Sequence, residues 1–456
     1  MASVEMEHDT AVEAVPVVAK GQRPSWSVIQ TVVGGGIILL ISASTGILTA
    51  RALLPAGRGE LAAINLWPYF LAYITSLGMP RALIYLLRSR KEESSRLIPT
   101  GLIASMLLGC IAAVVSALLL PFWLHNYSHE LIRAAQFCLV TTPAFGMIEA
   151  GRAVLEASGS FLASNIVRAS QPVATLAMLL CLLAVHHLTP VTAGFVYTFA
   201  AVPSLVIVLS QVRHLGIGRW RMDITSWRLL FSYGIRSYGV DILGALAFQL
   251  DQVLVIRMLA PAAMGIYGVT LSLSRMLSLF HVSVASVLFP QASGRTQDDI
   301  INMTEYSTRV STLITGGCSV AVSLVGPFLL RVLYGREYSG ASLTLDLLLV
   351  EVTLSGAVYV LSQAYMAVGR PGIVTIMQAI GLSLSIPMMI LLIPRWGING
   401  AAAALLASTL ARCLFVYFGF SFILRLPRPD LMPRFSDIQA ILLRLKRLPA
   451  PNGTAS

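Results

Sequence analysis

Long runs of apolar residues, separated by short polar connections, make up most of this 456-residue chain. A helix needs about 20 mainly apolar residues to cross a hydrocarbon core of roughly 30 Å, and each run is at least close to that length. The pattern therefore predicts about twelve membrane-spanning helices. Their approximate bounds are 26–50, 61–87, 97–122, 131–155, 160–184, 190–212, 227–256, 262–290, 307–333, 341–367, 371–393 and 397–423.

One segment of the chain occurs twice. The sequence ILTARALLPAGRGELAAI at 47–64 returns as VLVIRMLAPAAMGIYGVT at 253–270. Three residues recur at one constant separation: Arg51 with Arg257, Pro55 with Pro261, and Gly59 with Gly265. In both copies the segment joins the end of one apolar run to the start of the next. Two repeated halves of six spans each are predicted, a plan that many secondary transporters share.

The repeat defines a domain organisation. The predicted units are a polar N-terminus (1–25), a first half (26–212), a linker (213–226), a second half (227–424) and a basic tail (425–456). Apolar residues of the tail recur at helical spacing beside basic ones, which favours a helix lying on a membrane surface.

Composition and charge agree with a membrane protein. Hydrophobic residues make up 56% of the chain and charged residues only 12%, and the mean hydropathy is +0.78. Most basic residues fall in the connections on the same side as the N-terminus, so the positive-inside rule predicts that both termini are cytoplasmic. Two halves that both start inside are parallel repeats. The net charge of +11 then reflects topology, and no nucleic-acid partner is predicted.

Several function classes lack their sequence signals. The chain has no GxxxxGK[ST] phosphate loop, and its only lysines are Lys20, Lys91 and Lys446. Hydrophilic connections are no longer than about 20 residues, too short for an enzymatic domain. No catalytic residue, metal site or cofactor is therefore predicted.

Charged residues inside spans are costly unless they have a partner or face a cavity. Glu149, Arg152 and Glu156 are spaced along one face of the fourth span, so a salt-bridge ladder within that helix is at least as well supported as a functional role.

The second, seventh and eighth spans combine arginine, aromatic and acidic residues. Arginine binds phosphate through a planar fork, and aromatic rings suit sugars, so these spans predict a cavity for a large anionic, hydroxyl-rich substrate. The candidate substrate-binding residues are Arg81, Arg236, Arg275, Tyr69 and Tyr73, and the candidate coupling residues are Asp251 and Asp241. For Asp251 the structural alternative to coupling is a fixed ion pair with an arginine such as Arg275. In the alternative reading, Arg81 and Arg236 extend from inner helix ends to lipid headgroups.

Two stretches resemble a known family. LDQVLVIRMLAPAAMGIYGVTLSLSRML with VLFPQASGR, and AYMAVGRPGIVTIMQAIGLSLSIPMMILLIPRWGINGAAAALLAS, are similar to bacterial polysaccharide transporters of the multidrug/oligosaccharidyl-lipid/polysaccharide exporter (MOP) superfamily. The resemblance covers roughly residues 26–424. It implies an all-α, polytopic, V-shaped bundle that works by alternating access as a flippase for undecaprenyl-diphosphate-linked oligosaccharide. The implied setting is the bacterial inner membrane, during O-antigen, capsule or exopolysaccharide synthesis.

The resemblance also bears on single residues and partners. Asp251 matches the family's acidic position before the repeated turn. Besides the lipid-linked oligosaccharide, the implied partners are membrane lipids and, as a further candidate, a polysaccharide polymerase.

Two alternatives stay open. A cation-coupled multidrug antiporter is the first, although the first span, SVIQTVVGGGIILLISASTGILTA, lacks the acid that such exporters often carry. A membrane-embedded glycosyltransferase or polymerase is the second. Detecting sugar transfer, against complementation of a flippase mutant, would separate these classes.

The loop charges generate a topology prediction. In a background without the five native cysteines, Arg90→Cys and Arg221→Cys should react with an impermeant thiol reagent only from the cytoplasm. Arg336→Cys should react only from outside, because it follows an odd number of spans. Labelling of position 221 from the periplasm would overturn the model.

Overall fold

The computed structural model describes residues 26–215, 220–292 and 296–431. Within these ranges all regular structure is helical. Side chains are described except at 26–33, 240, 241, 286, 287 and 289–291. The predicted N-terminal segment 1–25 and the apolar part of the basic tail lie outside the described residues.

Helices α1 to α8 form the first half of the chain. Their bounds are α1 Trp26–Ile74, α2 Met79–Ser89, α3 Ser94–Trp123, α4 His129–Cys138, α5 Thr142–Ala157, α6 Phe161–Ala184, α7 Pro190–Phe199 and α8 Ala201–Arg213.

Helices α9 to α14 form the second half. Their bounds are α9 Ile224–Met258, α10 Pro261–Arg275, α11 Ser278–Ala292, α12 Gln297–Leu329, α13 Ser342–Ala367 and α14 Pro371–Phe422. A 56° bend separates the two parts of α9, Ile224–Gly239 and Ile242–Met258.

The predicted number of spans follows from these helices. Among the described residues, nine helical stretches are long and apolar enough to cross a membrane, and the bent α9 is a tenth. Two of the nine contain a break in helical geometry, at Leu54 in α1 and at Gly397 in α14. Each of these two is about twice the length that one crossing needs, so each contributes two spans. The total is twelve, as the hydrophobic pattern predicts.

The break in α1 lies in the first copy of the repeat. Leu54 has a φ of 59°, a conformation that side chains with a Cβ rarely adopt, and Pro55 follows it. Proline has no amide hydrogen to donate and suits the first turn of a helix, so the second span starts there. In the second copy α9 ends at Met258 and Pro261 starts α10. We call the end of the bundle that carries these two turns the turn face.

The two repeated segments pack against each other reciprocally at the turn face. A Cβ atom on Gly59 would lie 1.7 Å from the carbonyl oxygen of Pro261, and one on Gly265 would lie 1.9 Å from that of Pro55. Such distances are far below van der Waals contact, so only glycine permits this backbone approach. The second span and α10 therefore cross with no side chain between them.

The repeated arginines join the halves at the same face. Arg51 donates from Nε to the carbonyl oxygen of Leu333, 2.8 Å away, at the end of the ninth span. Arg257 hydrogen-bonds through its guanidinium to the ring of His125, and Asn126 Nδ2 donates to the Arg257 carbonyl oxygen over 3.3 Å. His125 and Asn126 follow the third span. Each half thus bonds to the end of the third span of the other.

At the opposite end, here called the termini face, the second and seventh spans lie side by side. Gly78 has a φ of +72°, and a Cβ there would lie 2.4 Å from the carbonyl oxygen of Gly234. Tyr85 stacks on Tyr233 with ring centroids 4.3 Å apart. Asp223 caps α9, and hydrogen bonds from the amide and hydroxyl of Ser226 lower the pKa of its carboxyl group.

The glycine crossing generates a stability prediction. Gly59→Ala and Gly265→Ala should each lower the melting temperature of the purified protein, because overpacking costs about 1–3 kcal/mol. Gly268→Ala is the matched control on α10, since the nearest atom to its Cβ would be Met264 Cε at 3.8 Å. Equal melting temperatures for Gly59→Ala and Gly268→Ala would show that the second span and α10 are not in close backbone contact at Gly59.

Candidate functional site

A cavity of about 320 Å³ lies between the second and seventh spans. It is lined by Tyr69, Phe70, Tyr73, Gly244, Ala245, Phe248 and Gln249. The small residues on α9 leave the space that the aromatic rings of the second span face. Its volume falls within the usual range of ligand pockets, roughly 300–1,000 Å³.

Two further cavities continue from this one toward the termini face. The second, of about 150 Å³, is lined by Ala72, Tyr73, Ser76, Pro80, Arg81, Ser105, Gly146 and Glu149. The third, of about 480 Å³, is lined by Arg81, Ile84, Tyr85, Arg88, Ser89 and Tyr233. Tyr73 belongs to the first and second cavities, and Arg81 to the second and third. We call these three adjoining cavities the central cavity.

The interruption of the second span positions these side chains. Tyr69 and Tyr73 are one helical turn apart in α1, and 44% and 39% of their surfaces are exposed. The helix then ends at Ile74 and restarts as α2 with Met79 and Pro80. This restart places Arg81 and Arg88 on the part of the cavity nearest the termini face.

The structure brings some predicted site residues together and separates others. Tyr69, Tyr73 and Arg81 all line the central cavity. Arg236 is exposed on α9, one turn beyond Tyr233. The side chain of Asp241 lies outside what the structure describes. The substrate-binding role of the tyrosines and arginines and the coupling role of Asp241 stay predictions.

Asp251 and Arg275 form an ion pair. The Asp251 side chain is fully buried, and its Oδ2 lies 3.3 Å from Arg275 Nη2. The Tyr267 hydroxyl donates to the same oxygen over 2.9 Å. Arg275 also donates to the carbonyl oxygen of Phe248 and lies over its ring, 4.1 Å from the centroid. The geometry supports a fixed ion pair for Asp251, the alternative to a coupling role.

A second polar network in the same half was missed by sequence reasoning. Thr409 donates to Glu351 Oε1 over 2.7 Å, and Arg412 donates to Thr409 over 2.6 Å and to Gln378 over 3.3 Å. Arg412 and Asp251 line one small cavity of about 20 Å³. Glu351 shares the tenth span with one other acid, Asp346, and Arg412 is the one charged residue of the twelfth span, so only their charge could have marked them. Nothing in the sequence shows that they meet.

The acidic and basic residues of the fourth span pair within that helix, as predicted. Arg152 Nη1 lies 3.0 Å from Glu149 Oε1, and Nη2 lies 3.5 Å from Glu156 Oε1. Ser164 donates to Glu156 over 2.8 Å. Glu149 nevertheless lines the central cavity beside Arg81.

Solved structures show the class of protein. The chain aligns with the lipid II flippase MurJ in an inward closed conformation, with a TM-score of 0.76, 13% identity, and coverage of 92% of this chain and 94% of that one. An inward-facing multidrug resistance MATE family transporter of the MOP superfamily gives a TM-score of 0.68 at 12% identity, covering 93% and 100%. At these identities the likeness shows the fold alone. The chain is therefore an all-α, multi-pass membrane protein with the MOP transporter fold.

Sequence comparison shows the family. A family model described as "Polysaccharide biosynthesis protein" matches residues 48–343, about two thirds of the chain. The chain belongs to this family, which confirms the assignment to polysaccharide transporters. It is 25% identical over 181 residues to a Haloferax volcanii protein described as "Probable low-salt glycan biosynthesis flippase Agl15". That match covers 39% of this chain and only 38% of the relative's length.

The buried ion pair generates a prediction. Asp251→Asn should lower the melting temperature and the membrane abundance, because removing one partner of a buried pair costs about 3–5 kcal/mol. Asp298→Asn, an exposed acid in the first turn of α12, is the control. Combining Asp251→Asn with Arg275→Gln should cost less than the sum of the single changes. Normal abundance with lost export in Asp251→Asn would instead support coupling.

Proposed function

We propose that this protein is a flippase that moves an undecaprenyl-diphosphate-linked oligosaccharide across the bacterial inner membrane for assembly of a surface polysaccharide. Membership of a polysaccharide biosynthesis family and the MOP transporter fold support this function. The name of the Haloferax volcanii relative points to the same activity. Membrane lipids and a polysaccharide polymerase are the partners proposed with it.

The chemistry of the central cavity carries the proposal. Two arginines, Arg81 and Arg88, line its end near the termini face, and exposed tyrosine rings line the remainder. Guanidinium groups bind diphosphate, while tyrosine rings and hydroxyls suit sugar rings. The polyprenyl chain stays in the bilayer, because hydrating a sugar diphosphate in a cavity is far cheaper than moving it through hydrocarbon.

The packing of the two halves supports alternating access. The glycine crossing and the arginine bonds of Arg51 and Arg257 close the turn face, whereas the central cavity extends to the termini face. With both termini in the cytoplasm, this is the state that takes up substrate from inside. Rocking of the first half (26–212) against the second half (227–424) would break the contacts between the halves at the turn face and bring the halves together at the termini face.

A cation-coupled multidrug antiporter is the second candidate, because multidrug transporters share the fold. The described lining favours an anionic substrate instead. Its acid, Glu149, is bonded to Arg152, whereas Arg81 and Arg88 bring positive charge to the cavity. Cationic drugs would meet that charge unfavourably.

Complementation tests the function. Expression in a bacterium that lacks its own O-antigen flippase should restore polymerised surface glycan on gels of extracted lipopolysaccharide. Accumulation of the lipid-linked repeat unit on the cytoplasmic side should fall in parallel. Restored drug efflux without restored glycan would favour the antiporter.

The cavity lining generates a residue-level prediction. Arg81→Gln should reduce glycan export by about tenfold or more at unchanged membrane abundance, because a charge-assisted bond to phosphate is worth about 1.5–3 kcal/mol. Arg90→Gln is the matched control, since Arg90 is an exposed arginine on the termini face that pairs with Glu93. Arg81→Lys should recover export only in part, because lysine lacks the bidentate fork. Wild-type export by Arg81→Gln would remove Arg81 from the site.

A further inference from the structure

A separate cavity lies between the first span and α10. It has a volume of about 150 Å³ and draws residues from both halves. Its lining consists of Leu39, Ser42, Ala43, Gly46, Arg58, Tyr197, Val269, Ser272, Met276 and Tyr334. None of these residues lines the central cavity. We call it the Arg58 pocket.

Arg58 is the only charged residue among the described residues that line this pocket. Its side chain is partly buried, and its Nε atom is buried without a hydrogen-bond partner. Among the residues that the structure describes, no carboxylate lies within ion-pair distance of Arg58. The phenol groups of Tyr197 and Tyr334 line the pocket together with Arg58. An arginine without a counter-charge inside a membrane bundle is disfavoured, so this pocket is prepared for an anion.

The hydroxyl groups around Arg58 suit an anionic oxygen ligand. Tyr197, Tyr334 and Ser42 bring O–H groups that can donate, while Ser272 already donates to the Gly268 carbonyl oxygen over 2.7 Å. A guanidinium fork with phenol donors matches the oxygens of a phosphate ester. The volume is below the usual range of pockets for larger ligands, so it admits a small anionic group and not a sugar chain.

The position of the pocket indicates where such a phosphate comes from. Arg58 lies one turn after the break at Leu54, near the turn face, which is the outer side in the proposed orientation. The first span carries the exposed apolar side chains Ile37 and Leu40 next to the lining residue Leu39, as expected of a surface in contact with lipid chains. A phosphate held by Arg58 could therefore remain attached to a chain lying in the bilayer.

We propose that the Arg58 pocket binds the phosphate group of a membrane lipid at the outer side of the bundle. Two lipids offer this chemistry: the polyprenyl phosphate of the transported substrate, held on the release side, and the headgroup of an anionic phospholipid. Assignment to the transported lipid rests on the proposed function, whereas the phosphate site itself rests on Arg58 and its hydroxyl neighbours.

Binding to the full-length purified protein tests the site. Native mass spectrometry in neutral detergent would titrate undecaprenyl monophosphate, phosphatidylglycerol and, as a chain control, uncharged undecaprenol. Arg58→Gln should raise the Kd for a phosphate lipid at least about tenfold, the effect of losing one charged fork. The double variant Tyr197→Phe, Tyr334→Phe keeps the rings and should weaken binding several-fold. Arg133→Gln, an exposed arginine of α4, is the matched control and should bind as wild type.

The outcomes separate the two sources. Weakened binding of undecaprenyl monophosphate alone supports a site for the transported lipid, and weakened binding of phosphatidylglycerol supports a headgroup site. Unchanged Kd values in both Arg58→Gln and the tyrosine double variant would overturn the site, as would an equal loss for uncharged undecaprenol or for Arg133→Gln. Complementation by the wild-type gene tests the flippase function separately. If it fails, weaker binding of a phosphate lipid to Arg58→Gln still supports the phosphate site.

Discussion

The backbone contact between the second span and α10 is the constraint on which the arrangement of the bundle depends. At Gly59 and Gly265 each glycine lies against the carbonyl of the opposite proline, so the two helices approach as closely as their backbones permit. This contact brings Arg51 and Arg257, at the preceding turns, to the ends of the third spans of the opposite halves. The turn face is thereby closed, and the space between the halves is left toward the termini face.

The charges inside the bundle fall into two groups with different surroundings. Asp251 with Arg275, and Glu351 with Arg412, are held in hydrogen-bonded networks within the second half. Their partners offset part of the cost of desolvation, while Asp251 Oδ1 and Arg412 Nε are buried without a hydrogen-bond partner. Arg81 and Arg88 line the central cavity instead. The networks fix helices of the second half relative to one another, whereas Arg81 and Arg88 give the lining of the central cavity its positive charge.

The two halves share the repeated turn but differ in the chemistry that surrounds it. The positions that correspond to Asp251, Tyr267 and Arg275 are occupied in the first half by Thr45, Leu61 and Tyr69. Thr45 bonds to the Ile41 carbonyl of its own helix, and Leu61 is fully buried. Because the first half has no acid and no arginine there, its Tyr69 is not held in a buried network and faces the central cavity. The repeat therefore preserves the framework, whereas the side chains around it differ between the halves.

The chain's own pattern determined the number of spans, the repeat and the family. Apolar runs of bilayer length predict twelve membrane crossings. Hydrocarbon offers no hydrogen-bond partners, and an α-helix makes all its backbone hydrogen bonds within itself. The constant separation between the two copies of Arg, Pro and Gly predicted the two halves. Pairing of Arg152 with its glutamates was also predictable, because neighbours three and four residues apart meet on any helix.

Tertiary structure alone decided which distant residues meet. The sequence left Arg275 a candidate both for substrate binding and for pairing with Asp251, and the packing of α9 against α10 brings the pair together. Glu351 and Arg412 form a network across 61 residues of chain that no local spacing encodes. The Arg58 pocket draws side chains from five separate segments of both halves. Hydrophobicity specifies which segments enter the membrane. Each span is nearly equally apolar on all its faces, so the sequence pattern does not show which side chains face a neighbouring helix. Close packing between helices decides this.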